Sequence, residues 1–390
     1  ILVAYFLGEL CKIIRVPRVV GHLLTGIILG IPLLKNYLFT QESLDLISLL
    51  ADLGIMLLFF FIGLGINLKE FKINLKESSL VSIFNTLIPL SLGFLVSYYI
   101  FNINLVASTV IGLALAVSSQ IISLDILDEF GIIKTRVGQL IITSGAVDDV
   151  FELILISIIL ALINVAGNYG SVLQIIGNIS IFIVALILFK LIVFPYILKL
   201  FEGRTATSLF SGALIIAFLT AVLSDFLGLG IFVGALFAGV VIRQILLTGK
   251  HRKPWEEHSI THSIHIVSFG LLVPLFFVSV GFNTNLNLIF SNFSLSLSFI
   301  LIALIGTVLG SVLGVIISKG SFKEGLIVGF GVTPKGDTEL VLATLALTAG
   351  VFTNAIFSSI IFMAMVTTFI SPIVFRLLIK KYKYYLNVRH

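Results

Sequence analysis

Stretches of about twenty apolar residues follow one another along the chain and limit its fold more than any other feature. Hydrophobic residues make up 58% of the 390 residues, charged residues only 11%, and the mean hydropathy is +1.20. Uninterrupted apolar runs of this length fit helices that cross a lipid bilayer, whereas membrane strands would alternate apolar and polar residues. The sequence therefore predicts an all-α polytopic membrane protein and excludes a soluble globular domain.

Hydropathy and loop punctuation divide the chain into thirteen predicted transmembrane helices. They cover roughly residues 1–14, 18–34, 46–66, 78–101, 104–127, 137–164, 171–200, 206–224, 228–248, 263–283, 288–318, 323–350 and 354–379. Lysine and arginine concentrate in the odd-numbered loops and the C-terminal tail, while the even-numbered loops hold Lys35 and almost nothing else. The positive-inside rule then places the N-terminus outside and the C-terminus in the cytoplasm, as expected for a protein of the cell membrane.

Two pairs of similar motifs indicate an internal repeat. Residues 17–26 resemble residues 230–239, and residues 58–63 resemble residues 275–281, at offsets of about 215 residues. An offset of seven helices, an odd number, puts the two copies in opposite orientations. We therefore expect two inverted repeats and a linker helix, an architecture that many secondary transporters use. The predicted halves are residues 1–164 and 206–382, and the linker lies in residues 165–205.

Asp148 and Asp149 lie side by side in an apolar run that extends from about residue 137 to residue 165. At about 1.5 Å per helical residue they sit roughly 20 Å from either end, near the middle of a bilayer, where a charge costs several kcal/mol. A carboxylate at that depth binds either a proton or a small hard cation such as Na⁺, and competition between the two permits exchange. The pair is the candidate ion and proton site; the competing interpretation is a helix–helix hydrogen bond made by a protonated aspartate.

Further polar residues lie at similar depth on predicted helices five and six. The candidate oxygen ligands among them are Ser118, Ser119, Gln120 and Thr143. Hydroxyls in membrane helices often bond their own backbone instead, so both interpretations stay open. Glu152 lies on the Asp148 face of the helix, where it either extends the site or pairs with a cation such as Lys335.

A proline, two nearby glycines and three charged residues interrupt predicted helix twelve around Pro334. A continuous lipid-facing helix does not contain such residues, so we expect a discontinuous helix whose ends line a polar cavity. The repeat implies a matching break in helix five near Ser118. Lys335, Asp337 and Glu339 either compensate one another, or Lys335 offsets charge near the crossing while the carboxylates guide cations.

Three further features of the sequence indicate no additional function: a histidine face, a Gly-Asp pair and the net positive charge. His258, His262 and His265 share one helix face, which is a metal site, a pH sensor or a solvated interfacial face, the last being favoured. The Gly336-Asp337 pair superficially resembles that of intramembrane aspartyl proteases, but the adjacent lysine, the Asp148-Asp149 pair and the repeat argue against an enzyme. The net charge of +5 reflects loop lysines, so we expect no nucleic-acid partner, and no cofactor is predicted.

Residues 17–30, 114–120, 147–149 and 334–337 resemble the monovalent cation:proton antiporter superfamily, in particular its bacterial and archaeal branch of sodium/proton exchangers and potassium-efflux proteins. The resemblance covers essentially the whole chain, and the Asp-Asp pair is its most specific mark. It implies a thirteen-helix homodimer with a mobile core that contains two crossing broken helices. The core helices would be about 78–164 and 288–379, with dimerisation helices in the remainder. It also implies elevator-like alternating access, with Asp149 as the principal cation and proton carrier.

Two positions depart from the pattern of that superfamily. Thr307 stands where the exchangers carry a lysine that pairs with the first aspartate. The usual Pro-Arg-Gly-Glu of helix twelve is replaced by residues 334–337, Pro-Lys-Gly-Asp. Asp148 is therefore expected either to be protonated or to pair with Lys335.

Together these features predict a secondary antiporter that exchanges Na⁺ or Li⁺ for H⁺, with both ions competing for Asp148 and Asp149. K⁺/H⁺ exchange is the alternative within transport. A gated cation channel or membrane sensor is the alternative from another class, and it would show flux or a ligand response without proton coupling. The expected partners are monovalent cations, protons, the lipid bilayer and a second copy of the chain.

Overall fold

The structure is a computed structural model that describes most of the chain. The described residues are 1–13, 16–65, 75–118, 121–145, 147–148, 151–152, 155, 172–194, 196–197, 206–248, 254–336 and 338–387. Throughout these ranges the regular structure is helical, and they contain no strand. The predicted all-α class is therefore confirmed for the described residues.

Helices α1 to α8 lie in the first part of the chain. The bounds of the first seven are α1 (Leu2–Ile13), α2 (Arg18–Leu29), α3 (Pro32–Leu38), α4 (Gln41–Gly65), α5 (Leu75–Leu95), α6 (Leu105–Ala116) and α7 (Ile121–Glu129). Helix α8 is described at residues 136–145, 147–148, 151–152 and 155. Asn104 starts α6 because its side chain accepts a hydrogen bond from Ala107 N at 2.8 Å.

Helices α9 to α19 follow. Their bounds are α9 (Val172–Leu188), α10 (Ala206–Phe226), α11 (Ile231–Thr248), α12 (Pro254–Val267), α13 (Val273–Asn283), α14 (Leu286–Ser291), α15 (Phe293–Leu301), α16 (Thr307–Ile317), α17 (Phe322–Val332), α18 (Thr338–Thr348) and α19 (Asn354–Asn387). Single π-helical turns, Ser268–Leu272 and Ile302–Gly306, join α12 to α13 and α15 to α16, so each pair runs on as one rod.

Several of these helices are long and apolar enough to cross a membrane. In the described chain they are Gln41–Gly65, Lys76–Ile100, Thr261–Asn283, Phe293–Ile317 and Asn354–Tyr382. Helices α2 and α3 together form one more candidate, bent by 84° at the break between them. The bend differs from the single helix expected over residues 18–34, because Pro32 cannot continue a helix but readily starts one. The chain is a multi-pass membrane protein, while the count of thirteen helices stays a prediction.

The chain divides into two compact units. The first contains Ile1–Leu38, Glu70–Ile156 and Val280–His390, and the second contains Phe39–Lys69 and Ser157–Ser279. In the second unit α4 packs closely on α11, where a Cβ added at Gly63 would lie 3.1 Å from Gly239 Cα. Small residues permit such close approach of two membrane helices. All residues of the candidate site described below belong to the first unit, and the assignment of core and dimerisation helices stays a prediction.

Two helical segments of the first unit are interrupted. Helix α6 ends at Ala116 and α7 begins at Ile121, while α17 ends at Val332 and α18 begins at Thr338. Pro334 cannot continue the helix, and Gly336 has a φ of +153°, a conformation that glycine adopts without strain. The break predicted in helix twelve is thus present, and so is the one that the sequence repeat implied near Ser118.

An apolar cluster holds together the helices that meet around these breaks. Its buried members are Val81, Ile126, Leu127, Ile132, Val137, Leu140, Ile141, Val315, Ile327, Val328, Val332, Phe375 and Ile379. They come from α5, α7, α8, α16, α17, α19 and the loop before α8. Helix α16 also approaches α5 closely, since a Cβ added at Gly310 would lie 2.8 Å from Asn85 Cα. This packing fixes where the polar side chains of α5 and α8 meet.

Candidate functional site

Asp148 lies in a pocket of polar side chains that α5 supplies, and it is fully buried at 0% exposure. Its Oδ1 accepts hydrogen bonds from Ser82 Oγ at 2.6 Å and from Thr86 Oγ1 at 3.1 Å. Its Oδ2 accepts one from Asn85 Nδ2 at 2.7 Å. Bonds of this kind compensate a carboxylate for the water it has lost. We call Ser82, Asn85 and Thr86 the cradle.

The cradle residues share one face of α5 because they stand at positions i, i+3 and i+4. Ser78, four residues before Ser82, continues this face, and its Oγ lies 2.5 Å from Thr143 Oγ1 on α8. A polar stripe on an otherwise apolar membrane helix faces a neighbouring helix rather than lipid. These residues are not among the predicted site residues, although their spacing is visible in the sequence.

Lys335 lies in the break between α17 and α18 and is fully buried. Its Nζ donates a hydrogen bond to the carbonyl oxygen of Val117, which terminates α6. The Lys335 carbonyl in turn accepts a hydrogen bond from Thr368 Oγ1 of α19. The two helix breaks are therefore in direct contact, and a cation from one meets the C-terminal end of a helix at the other, where the helix dipole favours positive charge.

Glu152 of α8 contacts the backbone N–H of Ser118, the residue that follows Val117. Its Oε1 accepts hydrogen bonds from Ser118 N at 2.9 Å and from Ser118 Oγ at 3.4 Å. A single peptide group, Val117–Ser118, is thus held by an ammonium on its carbonyl and by a carboxylate on its N–H. Ser118 thus contacts Glu152 through both its N–H and its hydroxyl, and its role as an oxygen ligand stays a prediction.

The buried charges around Lys335 form one cluster. The carboxyl groups of Glu339, Glu152 and Asp148 all interact electrostatically with its ammonium group. All three residues are at most 3% exposed. Because these charges are removed from water, their attraction is stronger than at a surface. Lys335 therefore interacts with a carboxylate of its own segment and with carboxylates of α8, and the choice between the roles that the sequence left open stays a prediction.

The remaining predicted site residues fall into two groups. Four of them lie outside the described residues: Asp149, Ser119, Gln120 and Asp337. Thr143 donates a hydrogen bond to Gln139 O of its own helix at 2.7 Å, as membrane hydroxyls often do. Thr307 is buried at 0% exposure, and its hydroxyl has no hydrogen-bond partner within the part of the chain that the structure describes.

A network of charged side chains ties together the ends of three helices of this unit. Arg136 Nη2 lies 2.6 Å from Glu77 Oε1, and its Nη1 lies 3.1 Å from Glu324 Oε2. Glu324 also accepts a hydrogen bond from Ser321 N and so completes a capping box at the start of α17. Burial opposes the charge of Arg136, but the hydrogen bonds and charges of the two glutamates outweigh it and raise the Arg136 pKa above its ordinary value.

The structure describes part of the histidine face and the groups that could bind a metal ion. His265 is exposed, and its ring stacks on Phe269 with a centroid distance of 4.8 Å. No cluster of three or more His, Cys, Asp or Glu side chains placed to hold a metal ion occurs in the described ranges. The side chain of His258 lies outside what the structure describes.

Two cavities of about 440 Å³ each lie at opposite ends of α2, both in the first unit. The one near the start of α2 is lined by charged side chains, namely Lys12, Arg18, Asp125 and Arg376. The one near its end is lined by neutral polar groups, namely Asn283, Thr284, Asn285, Asn287 and Asn354. Apolar residues complete both linings, among them Val16 and Val19 in the first cavity and Ile27 and Phe282 in the second.

Comparison with known proteins places the chain in a family. A sequence model of the family described as sodium/hydrogen exchanger, transmembrane, matches residues 1–381. The chain therefore belongs to the sodium/hydrogen exchanger family, a family of transporters and not of enzymes. The resemblance to the monovalent cation:proton antiporter superfamily is thereby confirmed.

Individual relatives extend over nearly the whole chain. A Na⁺/H⁺ antiporter of Enterococcus hirae is 27% identical over 389 residues, which is 98% of this chain and 97% of the relative. GerN of Bacillus cereus, described as a Na⁺/H⁺-K⁺ antiporter, is 26% identical over 366 residues, covering 94% of this chain and 90% of the relative. The sodium proton antiporter MjNhaP1 of Methanocaldococcus jannaschii has a similar fold, with a TM-score of 0.67 at 17% identity, covering 100% of this chain and 96% of that one.

Proposed function

We propose that this protein exchanges Na⁺ or Li⁺ for H⁺ across the cell membrane by alternating access. In this proposal the cation and the proton compete for Asp148 and Asp149, and Asp149 is the principal carrier. The loop charges orient the chain with its N-terminus outside and its C-terminus in the cytoplasm. Family membership supports transport as the activity.

The observation that carries the proposal is the burial of Asp148 beside two broken helices in contact. Asp148 is 0% exposed, and a second aspartate, Asp149, follows it directly in the sequence. Interrupted helices bring backbone carbonyls, N–H groups and half-helix ends to the middle of a membrane, where a dehydrated cation needs ligands. An ordinary membrane helix seam would carry neither the charges nor the open backbone.

In this reading the charge cluster keeps the crossing assembled while the ions exchange. Lys335 and Glu152 hold the Val117–Ser118 peptide from both sides, and Glu339 balances part of the lysine charge. When a cation leaves, a proton replaces it, so the buried carboxylates do not stay uncompensated.

The proposal extends to assembly. We propose a homodimer in which core helices, about residues 78–164 and 288–379, move as one body against dimerisation helices formed by the remainder of the chain. Such an elevator carries the bound ion with the core. The repeats predicted over residues 1–164 and 206–382 supply two similar packing arrangements for the inward and outward states.

K⁺/H⁺ exchange is the second candidate. One relative that covers 94% of this chain carries K⁺ as well as Na⁺ in its name. Carboxylate, amide and hydroxyl oxygens bind any small monovalent cation, and selectivity depends on their spacing. The two candidates differ in the cation that drives proton movement.

The test is cation-driven proton movement in proteoliposomes that enclose a pH-sensitive dye. Pulses of Na⁺ and Li⁺ should move protons in the opposite direction between about pH 6 and pH 9. The Asp149→Asn variant should abolish this movement, whereas Ser91→Ala, which changes an exposed residue of α5, should transport like the wild type.

Three other outcomes are informative. Proton movement driven by K⁺ and not by Na⁺ would support the second candidate. Cation flux without proton movement would point to a channel. Normal exchange by the Asp149→Asn variant would place the site elsewhere and reject the proposed carrier.

A further inference from the structure

Asn85 retains a polar atom for a ligand after its bond to Asp148 is made. Its amide NH₂ group donates to Asp148 Oδ2 at 2.7 Å, so the amide oxygen Oδ1 is the atom left over. The residue is 0% exposed, and Oδ1 has no hydrogen-bond partner in the described ranges. Buried carbonyl oxygens in proteins nearly always have a partner, so this one is available to a ligand.

The Asp148 carboxylate has an acceptor position open next to that atom. Its two oxygens together offer about four lone-pair positions. Among the residues that the structure describes, Oδ1 accepts two hydrogen bonds, from Ser82 and Thr86, whereas Oδ2 accepts one, from Asn85. The open position is therefore on Oδ2, the oxygen that contacts the Asn85 amide. The Asn85 amide and the Asp148 carboxylate, which carry these two open acceptor positions, are therefore joined by one hydrogen bond.

The helix that packs against Asn85 carries a second oxygen of this kind. Thr307 begins α16, whose Gly310 meets the Asn85 backbone, and the Thr307 hydroxyl is buried without a hydrogen-bond partner among the residues described. Carboxylate, amide and hydroxyl oxygens are hard ligands, which hard cations prefer to sulfur or imidazole. Two buried oxygens without a described partner thus occur on two helices that pack against each other, and one of them, α5, contacts Asp148.

We propose that Asn85 is a direct cation ligand, and that its Oδ1 and the open position on Asp148 Oδ2 together bind dehydrated Na⁺ or Li⁺. Ser82 and Thr86 are positioning residues, because they occupy Oδ1 and orient the carboxylate so that Oδ2 faces the cation. This inference rests on the proposed transport of a monovalent cation, and it names two atoms that bind the cation in addition to Asp149.

The experiment measures cation binding without transport. The full-length protein in detergent is melted in increasing NaCl, with choline chloride keeping the ionic strength constant, and the apparent Kd follows from the rise in melting temperature. Asn85→Leu removes the amide, while Asn85→Gln keeps it but displaces its oxygen by one methylene group. Thr86→Val removes a positioning hydroxyl at constant shape and Thr86→Ser restores it. Ser91→Ala on an exposed position of α5 is the matched control.

We expect the wild type and Ser91→Ala to be stabilised equally by Na⁺. Both Asn85 variants should bind Na⁺ about tenfold more weakly or worse, since each loses a charge-assisted contact. Thr86→Val should weaken binding to a smaller extent, and Thr86→Ser should return to the wild-type value. Wild-type Na⁺ affinity in both Asn85 variants would overturn the assignment, and Asn85→Gln alone decides if Asn85→Leu does not fold.

Transport kinetics separate this inference from the proposed function. In proteoliposomes the Asn85→Gln variant should show a raised KM for Na⁺ with its maximal rate retained. If the wild type moves no protons with Na⁺, the proposed function fails, yet Na⁺ stabilisation that is lost in the Asn85 variants would still support the ligand. If the wild type exchanges normally and Asn85→Gln has an unchanged KM, the ligand assignment fails and the proposed function stands.

Discussion

Replacing Lys335 by methionine tests whether the buried charge cluster holds the crossing of the two broken helices. Methionine has nearly the same length and is apolar, so the change removes the charge and its hydrogen bond with little change in shape. The backbone contact of this residue, from Thr368 Oγ1 to the Lys335 carbonyl, does not depend on the side chain. The variant therefore reports on the ammonium group.

The expected loss of stability in the Lys335→Met variant follows from the burial of the charged side chains. Lys335 is 0% exposed, as is Glu339, while Glu152 is 3% exposed. Removing one partner of a buried charged pair costs on the order of 3–5 kcal/mol, because the other charges stay buried without compensation. At roughly 2 °C for each kcal/mol, the melting temperature should fall by about 6–10 °C.

The assay is thermal unfolding of the purified protein in detergent, with Lys380→Met on an exposed position of α19 as the control. Combining Lys335→Met with Glu339→Gln should recover part of the loss, because a buried carboxylate that interacts with the lysine is neutralised as well. The coupling between the two positions should lie between about 0.5 and 3 kcal/mol. A Lys335→Met variant that melts within about 1 °C of the wild type would refute the argument.

Three further changes test separate parts of the structure. Glu324→Gln should destabilise the protein by about 1–2 kcal/mol in detergent unfolding, because the capping box at Ser321 and the pairing with Arg136 weaken together; an unchanged midpoint would show that the network contributes nothing. Thr307→Val should leave the melting temperature unchanged or raise it by the equivalent of about 1 kcal/mol, because a buried hydroxyl without a described partner is replaced by a methyl group; a clear loss would reveal a partner. Asn104→Ala should cost about 1 kcal/mol and speed amide hydrogen exchange in the first turn of α6, with Ala107 N most affected; unchanged exchange there would contradict the cap.

The breaks illustrate how far local sequence reasoning reaches. The break around Pro334 follows from local chemistry, because proline removes a backbone donor and clashes with the preceding turn. The break at Val117 has no such residue, and only the internal repeat indicated it. What ends α6 there is tertiary: the ammonium of Lys335 occupies the Val117 carbonyl, and the carboxylate of Glu152 occupies the Ser118 N–H. Partners that satisfy the backbone permit an interruption that the local residues do not demand.

The hydrogen-bond donors to Asp148 were not predicted. The superfamily pattern directed attention to Thr307 and Lys335, yet the hydrogen bonds to Asp148 come from Ser82, Asn85 and Thr86. Their i, i+3, i+4 spacing marks a polar face of α5 and is readable in the sequence. Periodicity identifies a face but not the helix it meets, and Ser82 and Asp148 are 66 residues apart in the chain.

The sequence by itself determined that this chain is a helical membrane protein with acidic residues at mid-membrane depth, because hydropathy and the cost of an intramembrane charge act locally along the chain. Tertiary structure alone decided which groups satisfy those charges: the α5 cradle around Asp148, and Lys335 between the ends of two broken helices. The reason is physical, since hydrogen bonds extend about 3 Å and depend on the packing of helices that are distant in sequence. The depth of each acidic residue in the membrane follows from the sequence around it, whereas its hydrogen-bond partners depend on how the helices pack.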